Sequence, residues 1–204
     1  MRNLKKLAAL VTAAVLSLSI SIPAFAAVED TGFADADTGA WYAEEAVWCR
    51  DNGVMNGTGA ATFSPDRTMT RGMLATVLYR AAGSPEVSGA PDFSDVPEAS
   101  AYADGVAWAA ARGVVTGYGD GRFGLNDPVT RQQIAAILWR YDGSEAVEDD
   151  ADFTDASAIS GYAVQAVNWA AANGIIAGRS DGSFDPAGYA TRAQVAVILY
   201  RYLN

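Results

Sequence analysis

The chain has 204 residues, with 14 basic against 24 acidic side chains, a formal net charge of −10 and no histidine. That balance argues against nucleic acid and anionic membrane surfaces as partners, because phosphate binding needs a basic face. Without histidine the common Ser-His-Asp and Cys-His nucleophile systems and most zinc sites are excluded, and the single Cys49 cannot form an internal disulfide.

The N-terminus carries Arg2, Lys5 and Lys6, then an apolar stretch from Leu7 to Ile22, then Pro23-Ala24-Phe25-Ala26. A basic head, an apolar run and a small-x-small end predict a secretory signal peptide over residues 1–26, cleaved after Ala26. The mature chain then has 11 arginines, no lysine and 24 acids, a net charge of about −13. No later segment reaches the roughly 20 apolar residues that span a bilayer, so no membrane contact is expected once the signal is removed.

Beyond Ala27 the chain repeats itself. Phe33-Ala34-Asp35, Phe93-Ser94-Asp95 and Phe153-Thr154-Asp155 are spaced by 60 residues. Gly53, Gly113 and Gly174 follow, then Val54-Met55-Asn56-Gly57, Val114-Val115-Thr116-Gly117 and Ile175-Ile176-Ala177-Gly178. Phe63, Phe123 and Phe184 come next, then Thr70-Arg71, Thr130-Arg131 and Thr191-Arg192. Leu78-Tyr79-Arg80, Leu138-Trp139-Arg140 and Leu199-Tyr200-Arg201 close the units, and the third copy has one extra residue between Asp155 and Gly174. The repeats divide the mature chain into 27–84, 85–144 and 145–204.

Each unit reads as helix, loop, helix, so the fold class is all-α. The first helices are predicted over Tyr42–Asn52, Tyr102–Arg112 and Tyr162–Asn173, with Trp48, Trp108 and Trp169 on a buried face and the glycine as a left-handed C-terminal cap. Cys49, between Trp48 and Arg50, reads as a small packing residue. The second helices start at the Thr-Arg pairs. Leu74, Val77 and Leu78 form one apolar face, as do Ile134, Ile137 and Leu138, and Val195, Ile198 and Leu199. A two-helix unit cannot bury such a face alone, which predicts three units packed about a common centre as a pseudo-threefold spindle.

Thr70, Thr130 and Thr191 are placed as N-caps, with Gln133 and Gln194 completing capping boxes and Met73 leaving the first incomplete. Arg71, Arg131 and Arg192 stand in the first helical turn, where a cation is unfavourable by about 0.3–1 kcal/mol. Three copies of one unfavourable choice imply a use. One reading is an anion-binding corner built from free backbone N–H groups and a guanidinium, suited to a carboxylate. The other is pairing with Asp35, Asp95 or Asp155; the residues alone leave both open. Asp35-x-Asp37, Asp120-Gly121 and Asp181-Gly182 lack the rest of a calcium loop and read as turn residues, so no metal or other cofactor is expected. No carboxylate pair is singled out for glycoside hydrolysis, and the chain is not expected to be an enzyme.

Phe-x-Asp, Trp-Tyr-x-x-x-Ala-Val, Gly-Val-Met-Asn-Gly, Phe-x-Pro-Asp and Thr-Arg, as in FADADTGAWYAEEAVWCRDNGVMNGTGAATFSPDRTMTRGML, resemble the S-layer homology module. The resemblance runs over all three copies, Phe33 to Asn204. It implies a spindle of helices with ligand grooves between neighbouring repeats. It also implies noncovalent attachment to secondary cell-wall polysaccharide of a Gram-positive-type envelope, often through a pyruvate ketal on an amino sugar. The family's Thr-Arg-Ala-Glu motif maps onto Thr70-Arg71-Gly72-Met73, Thr130-Arg131-Gln132-Gln133 and Thr191-Arg192-Ala193-Gln194, none of which has the Glu. The expected glycan contacts are therefore Arg71, Arg131, Arg192, Thr70, Thr130 and Thr191, with Trp41, Tyr102 and Tyr162 as aromatic surfaces at the starts of the first helices. The alternative is a structural surface-layer protein whose modules contact other surface proteins, which exposed apolar patches outside the grooves would favour.

Overall fold

The computed structural model of the chain describes residues 28–89, 91–148 and 150–204; the expected signal segment lies outside them. Among the described residues the chain is helical, with six α-helices, one 3-10 turn, isolated β-bridges and no strand. The helices are α1 (Ala43–Asp51), α2 (Arg71–Ala81), α3 (Ala103–Ala111), α4 (Arg131–Asp142), α5 (Val164–Ala172) and α6 (Arg192–Leu203).

The first helix of each repeat stops one residue before the predicted end, at Asp51, Ala111 and Ala172, and closes on the predicted glycine. Gly53, Gly113 and Gly174 take φ of 66°, 67° and 66°, where a side chain would be strained. In the first copy Val54 N–H donates to Cys49 C=O and Gly53 N–H to Arg50 C=O, a Schellman pattern that satisfies the last carbonyls of α1. The starts differ from the expectation. Helical geometry begins at Ala43 and Ala103, one residue late, and at Val164, two residues late in the third copy. The interval that holds the third copy's extra residue forms a 3-10 turn at Ala156–Ala158.

Phe-x-Asp acts as a strap. The Asp35 carboxylate accepts from Phe63 and Ser64 N–H, Asp95 from Phe123, Gly124 and Leu125 N–H, and Asp155 from Phe184 and Asp185 N–H. The two phenylalanines of each copy pack with centroids 5.3, 5.3 and 5.2 Å apart. Phe63, Phe123 and Phe184 are fully buried, each worth about 1.5–3 kcal/mol in transfer. Gly57, Gly117 and Gly178 lie against the strap: a β-carbon would come within 3.0, 2.7 and 2.8 Å of Phe33, Phe93 and Phe153 Cε1. Trp108 and Trp169 are core residues as expected. Trp48 is only half-buried, its ring edge-on to Tyr200 at 5.4 Å.

The close helix pairs join different repeats: α2 with α3, α4 with α5, and α6 with α1. The apolar face of each second helix is thus covered by the first helix of the next repeat, and α1 of the first repeat closes the cycle by covering α6 of the third. Backbone bonds close the same cycle at the centre. Val129 N–H donates to Met69 C=O at 2.9 Å, Met69 N–H to Ala190 C=O at 2.9 Å, and Ala190 N–H to Val129 C=O at 3.4 Å. Met69, Val129 and Ala190 are fully buried, so these bonds satisfy backbone groups that water cannot reach.

Candidate functional site

The three Thr-Arg pairs stand where one repeat meets the next. Thr70, Thr130 and Thr191 cap their helices by accepting from Met73, Gln133 and Gln194 N–H. The Gln133 and Gln194 side chains reach back to the Thr130 and Thr191 N–H, completing two capping boxes, and Met73 cannot do so.

The free N–H corner expected at these helix starts does not exist. Arg71 N–H donates to Asp127 C=O and Gly72 N–H to Leu125 C=O. Arg131 and Gln132 N–H donate to Gly188 and Pro186 C=O, and Arg192 and Ala193 N–H to Arg67 and Pro65 C=O. Loop carbonyls of the neighbouring repeat occupy the donors that an anion would need.

The arginines do not pair with Asp35, Asp95 or Asp155 either, since those carboxylates are taken by backbone N–H groups. Arg71 Nε donates to Phe123 C=O at 2.9 Å and Nη2 to Thr116 C=O at 2.8 Å. Arg131 donates likewise to Phe184 and Ala177 C=O, and Arg192 to Phe63 and Asn56 C=O. The guanidiniums lie 5.0, 5.1 and 4.9 Å from the Phe123, Phe184 and Phe63 ring centroids. All three side chains are buried, and burial pulls their pKa values below the ordinary arginine value, though arginine stays charged. Each is therefore a clasp between repeats whose charge no carboxylate among the described residues balances by an ion pair.

A groove opens beside each clasp. The first, of about 330 Å³, is lined by Asn56, Arg192, Arg67, Arg80, Tyr102 and neighbours. The second, of about 260 Å³, is lined by Arg71, Thr116, Tyr118, Gln133, Arg140 and Tyr162 among others. The third, of about 210 Å³, is lined by Arg131, Ala177, Gln194, Arg201 and Trp41 among others. Equivalent residues of each repeat meet in each groove: a clasp arginine, the loop before the buried Phe, one face of a second helix, and the start of a first helix. All three expected arginines and all three expected aromatics are brought to grooves. The threonines stay at the helix caps with their hydroxyls engaged.

Arg80, Arg140 and Arg201 were not expected at the site. They end the Leu-Tyr/Trp-Arg segments, two or more turns along the second helices, and each lines a groove with a clasp arginine from another repeat. None forms an ion pair among the described residues. The recurring Arg at the end of each unit was the available signal. Exposed aromatics gather at the same places: Trp41 is 63%, Tyr162 52% and Tyr118 44% exposed, and each lines a groove. Such a groove offers unpaired guanidinium donors for an anionic group and an aromatic face beside it.

Asp120 and Asp181 accept from Arg122 and Ser183 N–H, as turn residues do.

Known proteins are similar to this chain in sequence. An endoglucanase of Bacillus sp. (strain KSM-635) is 34% identical over 151 residues, 72% of this chain and 16% of that protein. The surface-layer 125 kDa protein of Lysinibacillus sphaericus is 31% identical over 167 residues, 80% of this chain and 14% of that protein. A cell surface protein of Thermoanaerobacter kivui is 32% identical over 108 residues, 50% of this chain and 14% of that protein. The chain spans only a small part of the length of these relatives. The family model for the S-layer homology domain matches residues 32–72, 92–135 and 152–196, one match per repeat, and the chain belongs to that family, with three tandem domains.

Proposed function

We propose that the protein is a noncovalent anchor that binds secondary cell-wall polysaccharide in the grooves between its repeats. The observation that carries this is the meeting, three times over, of a buried clasp arginine and a second arginine in one groove of a net acidic chain, neither of them in an ion pair among the described residues. A carboxylate on a sugar ring, such as a pyruvate ketal, supplies the anion that these guanidiniums lack, and Trp41, Tyr102 or Tyr162 the surface for the ring. Family membership and the surface-layer and cell-surface relatives support anchoring at the cell wall at the level of the family. The action is binding and not catalysis. An enzyme among the relatives, the endoglucanase, matches over only 16% of its length.

The same reading takes the body as a pseudo-threefold spindle, supported by the closed cycle of helix pairs, backbone bonds and arginine clasps. It places the protein outside the cell, exported by the segment 1–26, on a Gram-positive-type envelope. The rival reading, a surface-layer protein acting through subunit contacts, has the surface-layer relative in its favour. Against it, three of the four large exposed apolar side chains among the described residues line grooves; Tyr189 is the other. Co-sedimentation of residues 27–204 with purified wall polysaccharide, before and after mild acid removal of pyruvate, tests the proposal. Binding lost with pyruvate supports it. Binding that survives sinks the ketal, and no binding by folded protein favours subunit contacts.

A further inference from the structure

The three grooves share a plan but differ at one position. The backbone carbonyl that accepts from the clasp arginine's N–H belongs to Arg67 in the first groove, Asp127 in the second and Gly188 in the third. All three stand four residues after the buried Phe, so this is one place in the repeat holding a cation, an anion and nothing. In the first groove the Arg67 side chain joins Arg80 and Arg192 in the lining. In the second the Asp127 carboxylate accepts from Tyr118 O–H at 3.0 Å, and Tyr118 stacks on the Arg71 guanidinium at 4.8 Å. The acid is thus held next to the groove's own cation. In the third, a β-carbon at Gly188 would overlap the Asp185 carboxylate, which pairs with Arg179, so that position stays small.

We infer that residues 67, 127 and 188 grade the grooves in charge, making the Arg67–Arg80–Arg192 groove the tightest site for an anionic sugar unit and the Arg71–Arg140 groove the weakest. The inference rests on the anchoring reading and deepens it. The grooves then engage a polymer one after another, with the first nucleating attachment. Avidity from the two weaker grooves holds a chain that is already tethered. Net acidity elsewhere on the surface repels anionic polymer and leaves the first groove as the favoured entry point.

The test is a charge exchange read groove by groove. The Arg71, Arg131 and Arg192 Nε–H groups are buried donors, one per groove, and serve as NMR reporters in 15N-arginine-labelled protein. Titration with a synthetic pyruvate-ketal amino sugar is expected to shift the Arg192 signal at the lowest concentration and the Arg71 signal at the highest. Arg67→Asp is expected to weaken the Arg192 groove about fivefold or more at low salt, and Asp127→Arg to strengthen the Arg71 groove by a similar factor. Asp127→Asn, which keeps an acceptor for Tyr118, is expected to give about half that gain on a logarithmic scale. Both exposed positions lie off the core, so the variants fold. Equal titration of all three signals, unmoved by the exchange, overturns the grading while leaving the anchor intact. No shift in any groove, with the fold preserved, removes the ketal ligand and the grading with it, and the anchoring reading itself falls if that folded protein also fails to bind whole wall polysaccharide.

Discussion

Replacing Arg192 by alanine is expected to loosen the join between the third repeat and the first. The substitution removes bonds of 2.7 Å to both Phe63 and Asn56 C=O and the guanidinium that covers the Phe63 ring. Bonds to a charged donor are worth about 1.5–3 kcal/mol each, and stranding two carbonyls in a buried place adds to their loss. Against this stands the relief of a buried cation that has no ion-pair partner among the described residues, which returns part of the cost. The net is a destabilisation of about 3 kcal/mol, or a fall in Tm of about 6–12 °C for a chain of this size. Urea unfolding followed by tryptophan fluorescence measures it. Arg201→Ala, at the exposed end of α6, is the control and is expected to stay within about 0.5 kcal/mol of wild type. Equal stability of the Arg192 and Arg201 variants would refute the clasp and return Arg192 to a purely ligand-facing role. A corollary is that lost binding on clasp removal is ambiguous, whereas lost binding on removing Arg80, Arg140 and Arg201 is not.

The Asp95 carboxyl carries a pH signature. Partial burial alone would raise its pKa, but the N–H groups of Phe123, Leu125 and Gly124 outweigh that and hold it below the ordinary carboxylate value. A depressed folded-state pKa stabilises above the unfolded value of about 3.9 and is lost as pH falls through the folded one. Wild type is therefore expected to lose urea resistance more steeply than Asp95→Asn below about pH 4, and parallel profiles would contradict the strap. Gly117→Ala would place a β-carbon 2.5 Å from Arg122 C=O and 2.7 Å from Phe93 Cε1, and is expected to cost about 1–3 kcal/mol in unfolding assays. The Cys49 thiol, pushed up to about 12 by burial and by Glu45, is expected to ignore a disulfide reagent at pH 8 until the protein unfolds. Rapid reaction of the native protein would show that α1 opens readily from α6.

The helices, their caps and their glycine ends were legible because each depends on residues close in the chain. Thr130 with Gln133 and Gly113 after Trp108 carry their own geometry. The cyclic packing was legible only as a need for partners, since the apolar faces say that cover exists and not which helix supplies it. What the pattern could not reveal was the use of the Thr-Arg arginines. Arg71 bonds Thr116 and Phe123 C=O, and a backbone carbonyl leaves no trace in residue identity. The same holds for the helix-start N–H groups, occupied by Asp127 and Leu125 C=O. Arg80, Arg140 and Arg201 recur plainly but became groove residues only once repeats were placed side by side. Trp48 shared its motif position with Trp108 and Trp169, yet stays half-buried against Tyr200 on α6.

The most direct test of the anchoring account is calorimetric binding of purified, pyruvate-bearing wall polysaccharide to residues 27–204 carrying Arg80→Gln, Arg140→Gln and Arg201→Gln together. The account predicts a folded protein of near wild-type Tm whose affinity falls at least a hundredfold, about 2.7 kcal/mol spread over three grooves. Undiminished affinity in that folded variant would contradict it, because the groove cations would then have no part in holding the wall.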